Sequence, residues 1–495
     1  MQISTPYRVL TLILIPLLLA ACATDEEDIS ALRVRSVGIA LGLTGDPTTL
    51  RILPSITDPK AQLGMKLFYS KALGLDQDAA CASCHHPALG GNDDLSLPIG
   101  VDAENPDLVG PGRFHLSTAP NWDGGPTVSR NAPTTFNSGM WDRVMTYDGR
   151  IESLDKAVNF NGSPGDFGAG IVTPDSLTDD FGTLLADPNA GGNLPTALAR
   201  FPVTSVEDMR GFDFLTLVTN DDVRNELAAR LAAYAGWRAE FAAVYGDEII
   251  TYDRIAEALG EYVRSQVFVN NAWKAFMLGD DDAISEAARR GALLFMLPTR
   301  VDGASCITCH RSDFFTDEFF HVLAMPQIGR GKGDGDTGTD DFGRFRVTAA
   351  DADLYAFRTP SLLNVTETGP WGHAGAYTTL EAVIRHHLDP QTAVDNYDFN
   401  QLEPSIVSSG QTDEMRLNTQ KALDKLATNR LIGILSIPIL ELTDEQVGYL
   451  VEFLKTLTDP CVQDRACLAP WIPDDTVADP DGLRLNAVDA NLNPL

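Results

Sequence analysis

"CASCHHP" (81–87) and "CITCHRS" (306–312) decide how this 495-residue chain folds. Each sets two cysteines three apart with a histidine directly after: Cys81, Cys84 and His85, then Cys306, Cys309 and His310. C-x-x-C-H is the attachment signal of c-type haem. The two thiols add to the haem vinyl groups and the adjacent imidazole reaches the iron. A thioredoxin-like pair or half of a zinc ribbon would also contain C-x-x-C, but neither uses a histidine at that position twice. The spacing therefore predicts two covalent haems, each with its own stretch of chain around it.

The other three cysteines fit an exported protein. "MQISTPYRVLTLILIPLLLAAC" has one basic residue, a short apolar run and small residues before Cys22. The run is too short and wrongly flanked for a spanning helix and reads as a signal segment, 1–21. "LAAC" resembles a bacterial lipoprotein cleavage box, which would leave Cys22 acylated and the protein anchored on the periplasmic side of a membrane, the outer membrane by expectation. Each buried CH₂ of an acyl chain adds roughly 0.8 kcal/mol to such anchoring. Cys461 and Cys467, six apart in an exported chain, are expected to form a disulfide.

The rest of the composition suits a large body with real cores: 44% of residues are hydrophobic, and only one segment has membrane character. A formal charge of −32 excludes nucleic acid, whose phosphates need a basic face. It favours encounter with a basic redox partner. Residues 22–50 read as a polar tether. Helical periodicity dominates beyond it, as in "DRIAEALGEYVRSQVF", which sets Ile255, Leu259, Tyr262 and Val263 on one face. "LTDEQVGYLVEFLKTL" opens with a capping box, Thr443 with Gln446. "TTLEAVIRHHLDP" reads the same way, with Thr378 and Glu381 as its box. Long Gly/Pro/Asp segments lie between the helices, as loops that wrap a cofactor do. "GKGDGDTGTDD" (331–341) misses the EF-hand spacing and reads as an acidic surface loop. The expected division is 51–280 for a first haem domain and 281–495 for a second with a tail.

Six features in one order carry a resemblance: the two C-x-x-C-H motifs, "RNAPTTFN" (130–137), "YDGRIESL" (147–154), "FRTPSLLNVTETGPWGHAG" (357–375) and the 442–459 helix segment. Together they resemble the bacterial di-haem cytochrome c peroxidase/MauG family over about residues 50–460. The resemblance implies a mostly α fold of two cytochrome-c-like haem domains facing an interdomain seam. It also implies reduction of hydrogen peroxide at the N-terminal haem, through His85, with electrons passed by the C-terminal haem, through His310. Such electrons come from a small cytochrome c or cupredoxin. The alternatives are a MauG-like enzyme that oxidises Tyr or Trp of a partner protein, and a di-haem electron carrier without enzymatic activity.

The family's sixth ligand to the second haem, Met or Tyr, falls at His387 here. Leu380, Ile384 and His387 share one helical face while His386 points about 100° away. A second imidazole in place of a thioether lowers the haem potential, which leans towards MauG-like chemistry. At the seam, Tyr147 stands where the family has Trp, with Trp141 as a second aromatic. Glu207 or Asp208, in "FPVTSVEDMRG" (201–211), matches the carboxylate that moves a proton between the peroxide oxygens. His115 is a candidate cap for the first iron at rest. His321 and His373 fall near the second haem or the seam. Asn131, Thr368 and Pro370 match an interdomain calcium whose oxygen ligands suit a hard cation.

Overall fold

The structure is a computed structural model that describes residues 29–119, 121–163, 170–180, 182–214, 216–408, 410–434 and 438–495. Cys22, the signal segment and the first part of the tether lie outside the described residues. Among those described, no helix is long and apolar enough to cross a membrane.

Two glycines set the architecture. The Pro59–Phe68 helix packs across the Tyr252–Arg264 helix, and Gly64 sits at the crossing. A Cβ on Gly64 would lie 1.9 Å from the Ala258 carbonyl oxygen and 2.7 Å from the Tyr262 Cβ. The Glu286–Met296 helix packs across the Asp444–Lys455 helix in the same way. There a Cβ on Gly291 would lie 1.8 Å from the Tyr449 carbonyl oxygen and 2.9 Å from the Phe453 Cβ. In both crossings the partner residues are one turn apart, and only a residue without a Cβ lets the two backbones approach so closely. A C-x-x-C-H follows the first helix of each pair, as a short 3₁₀ turn, Cys81–Ser83 and Cys306–Thr308. The chain is thus one unit built twice. Ile255, Leu259 and Tyr262 are buried on the predicted stripe. In the Asp444–Lys455 helix, Val447, Leu450, Phe453 and Leu454 are buried, and Thr443 with Gln446 forms the expected capping box.

The two cores do not divide the chain at residue 280. The first gathers Leu63, Leu67, Phe68, Trp237, Phe241, Ile255 and Tyr262, and then Val462, Leu468, Ile472 and Leu485 from the far end of the chain. The second gathers Trp273, Phe276, Leu293, Phe295, Phe315, Leu450 and Phe453, together with Trp141, Ile151, Ile171 and Leu194 from the first half. It also takes Ala31, Val34 and Leu43. Residues 29–50 are therefore not a tether. Ser30 caps an Ala31–Ala40 helix whose inner face is buried against the Glu286–Met296 helix. The tail returns instead to the first unit: the Lys71 amide donates to the Leu483 carbonyl (2.9 Å), and the Leu485 amide to that of Tyr69 (2.7 Å). Cys461 and Cys467 at its start are disulfide-bonded.

Strands are few and short. Val144–Met145, Ile151–Ser153 and Ile171–Val172 form an antiparallel sheet in that order. Phe320–His321 pairs with Phe357–Arg358. These ribbons line the seam, where two ion pairs and one carboxylate–amide contact join the halves. Arg130 donates to Asp341 (2.7 Å) and Asp148 (2.8 Å). Arg344 pairs with Glu152 (2.5 Å). The Glu318 carboxylate accepts the backbone amides of Asp142 and Arg143 at 3.1 and 2.7 Å. The 331–341 segment belongs to this seam and is not simply an acidic surface loop. Asp341 is held by Arg130, and Asp340 is fully buried against Gln327 and Tyr355.

Candidate active site

Both C-x-x-C-H turns present the same chemistry. The four cysteines are unpaired. His85 holds the Gly91 carbonyl through Nδ1 (3.3 Å) and His310 holds the Phe315 carbonyl through Nδ1 (3.0 Å). A carbonyl only accepts, so Nδ1 carries the hydrogen and Nε2 is the bare nitrogen, the arrangement that orients metal-bound imidazoles. Burial pushes both rings down to about 4 and keeps them neutral, with those carbonyls opposing the shift only in part. Burial also pushes the Cys81 and Cys306 thiols up to about 12. Two shielded thiols and one neutral imidazole with a free Nε2 fit covalent haem at each turn.

The two sites differ in what faces them. Opposite His310 stands His387, the ring centroids 6.5 Å apart. His387 is anchored by Nδ1 on the Val383 carbonyl (2.7 Å), one turn back, which again frees Nε2. With imidazole–metal bonds of about 2 Å on each side, one iron fits between the rings. His386 has no such freedom. It is fully buried, its Nδ1 2.8 Å from the Tyr377 hydroxyl and its Nε2 2.8 Å from the Leu323 carbonyl. The helix carrying both is Leu380–Leu388, capped by Thr379 and not by Thr378. Glu381 is absorbed by an ion pair with Arg385 instead of closing a capping box.

Beside the first turn the structure places carboxylates. Val206–Arg210 is a single π-helical turn, a distortion often found at functional sites. It lies against Gly100, where a Cβ would be 2.2 Å from the Glu207 carbonyl oxygen. The neighbouring Ile99 carbonyl is 3.9 Å from Cys84 Sγ. Burial raises the Asp208 carboxyl, with Lys332 and Arg150 pulling it back and Glu207 adding to the rise. A cavity of about 180 Å³ lined by Leu95, Leu97, Ile99, Arg113, Phe114 and Glu403 opens on the same side. Lys332 comes from the second half, on the 331–341 segment, and sequence reasoning missed it. His115 is buried, stacked on Trp122 (5.4 Å). Its Nδ1 is 3.2 Å from the Leu116 carbonyl and its Nε2 3.3 Å from Asn121 Nδ2, so both ring nitrogens are engaged within its own loop.

The seam between the sites holds Tyr147 and Trp141. Trp141 packs edge-on to Phe314 (4.9 Å), close to the second turn. The Arg358 guanidinium lies over its face at 3.4 Å, and the Arg358 amide donates to the Tyr147 carbonyl (2.9 Å). Arg358 is buried with Nε and Nη1 unpartnered among the described residues. Such an orphaned cation suits a haem propionate, and no sequence signal singled it out. Burial pushes the Tyr147 phenol up to about 12, against Arg358 and Arg130, and its hydroxyl donates to Asn131 Oδ1 (3.2 Å). His321 pairs with Asp317 (2.9 Å) close to Cys309. His373 stacks on Phe357 at 3.8 Å, and its carbonyl accepts the Asn131 amide (3.0 Å).

Asn131 is close to the segment that carries Thr368 and Pro370. That segment is pressed on the 90–92 turn, where Asn92 Nδ2 donates to the Gly369 carbonyl (2.8 Å). The carbonyls of Thr368 and Pro370 accept no hydrogen bond among the described residues, and the nearby Asp93 Oδ2 and Ser96 Oγ are buried without partners. Oxygen donors of this kind fit a hard cation.

Comparison with known proteins agrees with this geometry. The family model described as di-haem cytochrome c peroxidase matches residues 58–282. The methylamine utilization protein MauG of Methylophilus methylotrophus is 27% identical over 334 residues, 67% of this chain and 73% of that protein. Cytochrome c551 peroxidase of Nitrosomonas europaea is 22% identical over 324 residues, 66% of this chain and 71% of that one. Among solved structures, a MauG-like protein associated with microbial copper homeostasis shares the fold, with a TM-score of 0.53 at 22% identity over 87% of this chain and 97% of that one. A built-twice helical fold, a haem-attachment turn in each half and these relatives together make the chain similar to the di-haem cytochrome c peroxidases and MauG proteins, which are oxidoreductases.

Proposed function

We propose that the chain reduces hydrogen peroxide at the first C-x-x-C-H and draws electrons through the second. The asymmetry of the two sites carries the reading: an imidazole faces His310, whereas carboxylates flank the first turn. Bound haem supplies the redox chemistry of O–O cleavage, and the residues supply its setting. His85 and His310 ligate through Nε2, and His387 closes the second site. Asp208, with Glu207 beside it, takes a proton from one peroxide oxygen and returns it to the other. Arg358, beside Trp141 and Tyr147, the two aromatics that would couple the sites, would hold a haem propionate. Asn131, Thr368 and Pro370 hold calcium. Acylation at Cys22 would keep the enzyme at the periplasmic face of a membrane.

A raised Asp208 carboxyl makes the base available only above the usual carboxylate range, so peroxide turnover rises with pH through that raised value. Stopped-flow mixing of ferric holoenzyme with peroxide tests the reading. The expected result is a spectral change at one haem, slowed about 10²–10⁴-fold and stripped of that pH dependence in Asp208→Asn. Peroxide leaving both haem spectra unchanged would sink it. The second imidazole and the Tyr at the seam also favour oxidation of a partner protein's Tyr or Trp. Failure to oxidise any reduced small cytochrome or cupredoxin, with peroxide still consumed, would select that alternative.

A further inference from the structure

Tyr377 is buried behind the helix that carries His387, and it makes a hydrogen bond that the proposed reaction does not use. Its hydroxyl is 2.8 Å from His386 Nδ1. The tautomer of His386 follows from hydrogen-bond counting. The Leu323 carbonyl can only accept, so His386 Nε2, 2.8 Å away, carries the hydrogen. Nδ1 is then a bare acceptor, and the Tyr377 O–H points at it. A phenol can lose an electron at moderate potential only if its proton has somewhere to go, and here the acceptor is already in contact.

The rings form a line. His387 and His386 have centroids 6.4 Å apart, His386 and Tyr377 5.4 Å, Tyr377 and Tyr397 5.5 Å, and Tyr397 and Phe399 4.9 Å. Arg416, exposed, covers Phe399 at 4.5 Å, so the line runs from the second haem site towards solvent. Tyr397 donates to the Ala376 carbonyl, which takes no proton, so Tyr377 is the ring with a base.

We propose that Tyr377 is a redox relay of the second haem site and holds one oxidising equivalent as a neutral tyrosyl radical. Peroxide reduction to two waters consumes two electrons. Tyr377 gives up one of them to the oxidised haem pair, its O–H bond breaks, and the proton moves to His386 Nδ1. The imidazolium keeps its Nε2–H on Leu323 and a charge-assisted contact with the phenoxyl oxygen. An electron arriving later returns the proton along the same bond. The inference rests on the proposed function only for its oxidant.

Freeze-quench electron paramagnetic resonance of the holoenzyme after peroxide tests it, with ring-deuterated tyrosine to identify the radical. A tyrosyl signal is expected that narrows on deuteration. It should disappear in Tyr377→Phe, fall at least tenfold in His386→Leu and persist in Tyr397→Phe. A haem spectrum that responds to peroxide with no tyrosyl, or with one unchanged in Tyr377→Phe, would overturn the relay and leave the peroxide reaction standing. If peroxide leaves the haems untouched, the proposed function fails. The same variants are then compared after flash-generated ruthenium(III) tris-bipyridine, and an identical radical in wild type and Tyr377→Phe overturns the relay there too.

Discussion

His386 and His387 are chain neighbours whose surroundings assign them opposite work. His387 keeps Nε2 free opposite His310, while His386 has both nitrogens tied. His387→Ala is expected to turn the second ferric haem from a low-spin bis-imidazole signal to high-spin. His386→Ala should keep the low-spin signal and instead cost about 1–3 kcal/mol, because the Tyr377 hydroxyl is left unpaired in the interior. Resonance spectra and denaturant midpoints of the two variants separate these outcomes. The helical period and the family's ligand position both pointed to His387, since Leu380 and Ile384 mark the face that it shares. Tyr377 was not legible as a partner because it reaches His386 from the turn before the helix, and no period links turn to helix. Arg358 and Lys332 escaped for a similar reason: each matters through an interaction with the other half of the chain.

The elements show the doubled design most directly. Gly64 and Gly291 each sit where two backbones touch, so Gly64→Ala and Gly291→Ala should each lower stability by about 1–3 kcal/mol or more. Gly448 lies in the Asp444–Lys455 helix with nothing within 4 Å of an added Cβ. Gly448→Ala should raise stability by up to about 1 kcal/mol. Thermal unfolding of the three variants checks this, and equal effects at all three positions would dismiss the crossings as the organising contacts. The helices and their stripes could be read from periodicity. The glycines could not, because a glycine inside a helical pattern looks the same whether it faces a neighbour or water. The Ala31–Ala40 helix was also missed. The polar start of residues 22–50 suggested a tether, whereas the helix is held by Ala31, Val34 and Gly38 on its inner face.

Across the whole molecule, Arg130 is the joint between halves. Burial works against ionisation of Asp341, but the Arg130 guanidinium overcomes it and holds the carboxyl at about 2. Asp148 is held low by the same opposition of burial and Arg130. In the unfolded chain both titrate near 3.9, so their contribution is fully present above that value and is lost as pH falls towards 2. Urea midpoints should decline over that acid range. Arg130→Met leaves two buried carboxylates unpaired, at an expected cost of about 3–5 kcal/mol near neutral pH. In that variant the carboxyls are raised, so acidification should restore stability over the range where the native protein loses it. An unaltered pH profile would show that the joint does not hold the halves. The sequence, read by motif order, placed both attachment turns and the mostly helical class. It missed how the halves share chain, because burial of Trp141, Ile151, Ile171, Leu194 and Phe201 in the second core depends on contacts remote in sequence.

The returning tail turns this shared chain into a matter of timing. A polypeptide is made from its N-terminus at about 5–20 residues per second, and its leading domain ordinarily folds while the rest is still being made. Here Val462, Leu468, Ile472 and Leu485 belong to the core against which Cys81 packs. The first unit to be made is therefore the one that cannot be finished until the last residues arrive. Until then the core beside its haem-attachment turn lacks Val462, Leu468, Ile472 and Leu485.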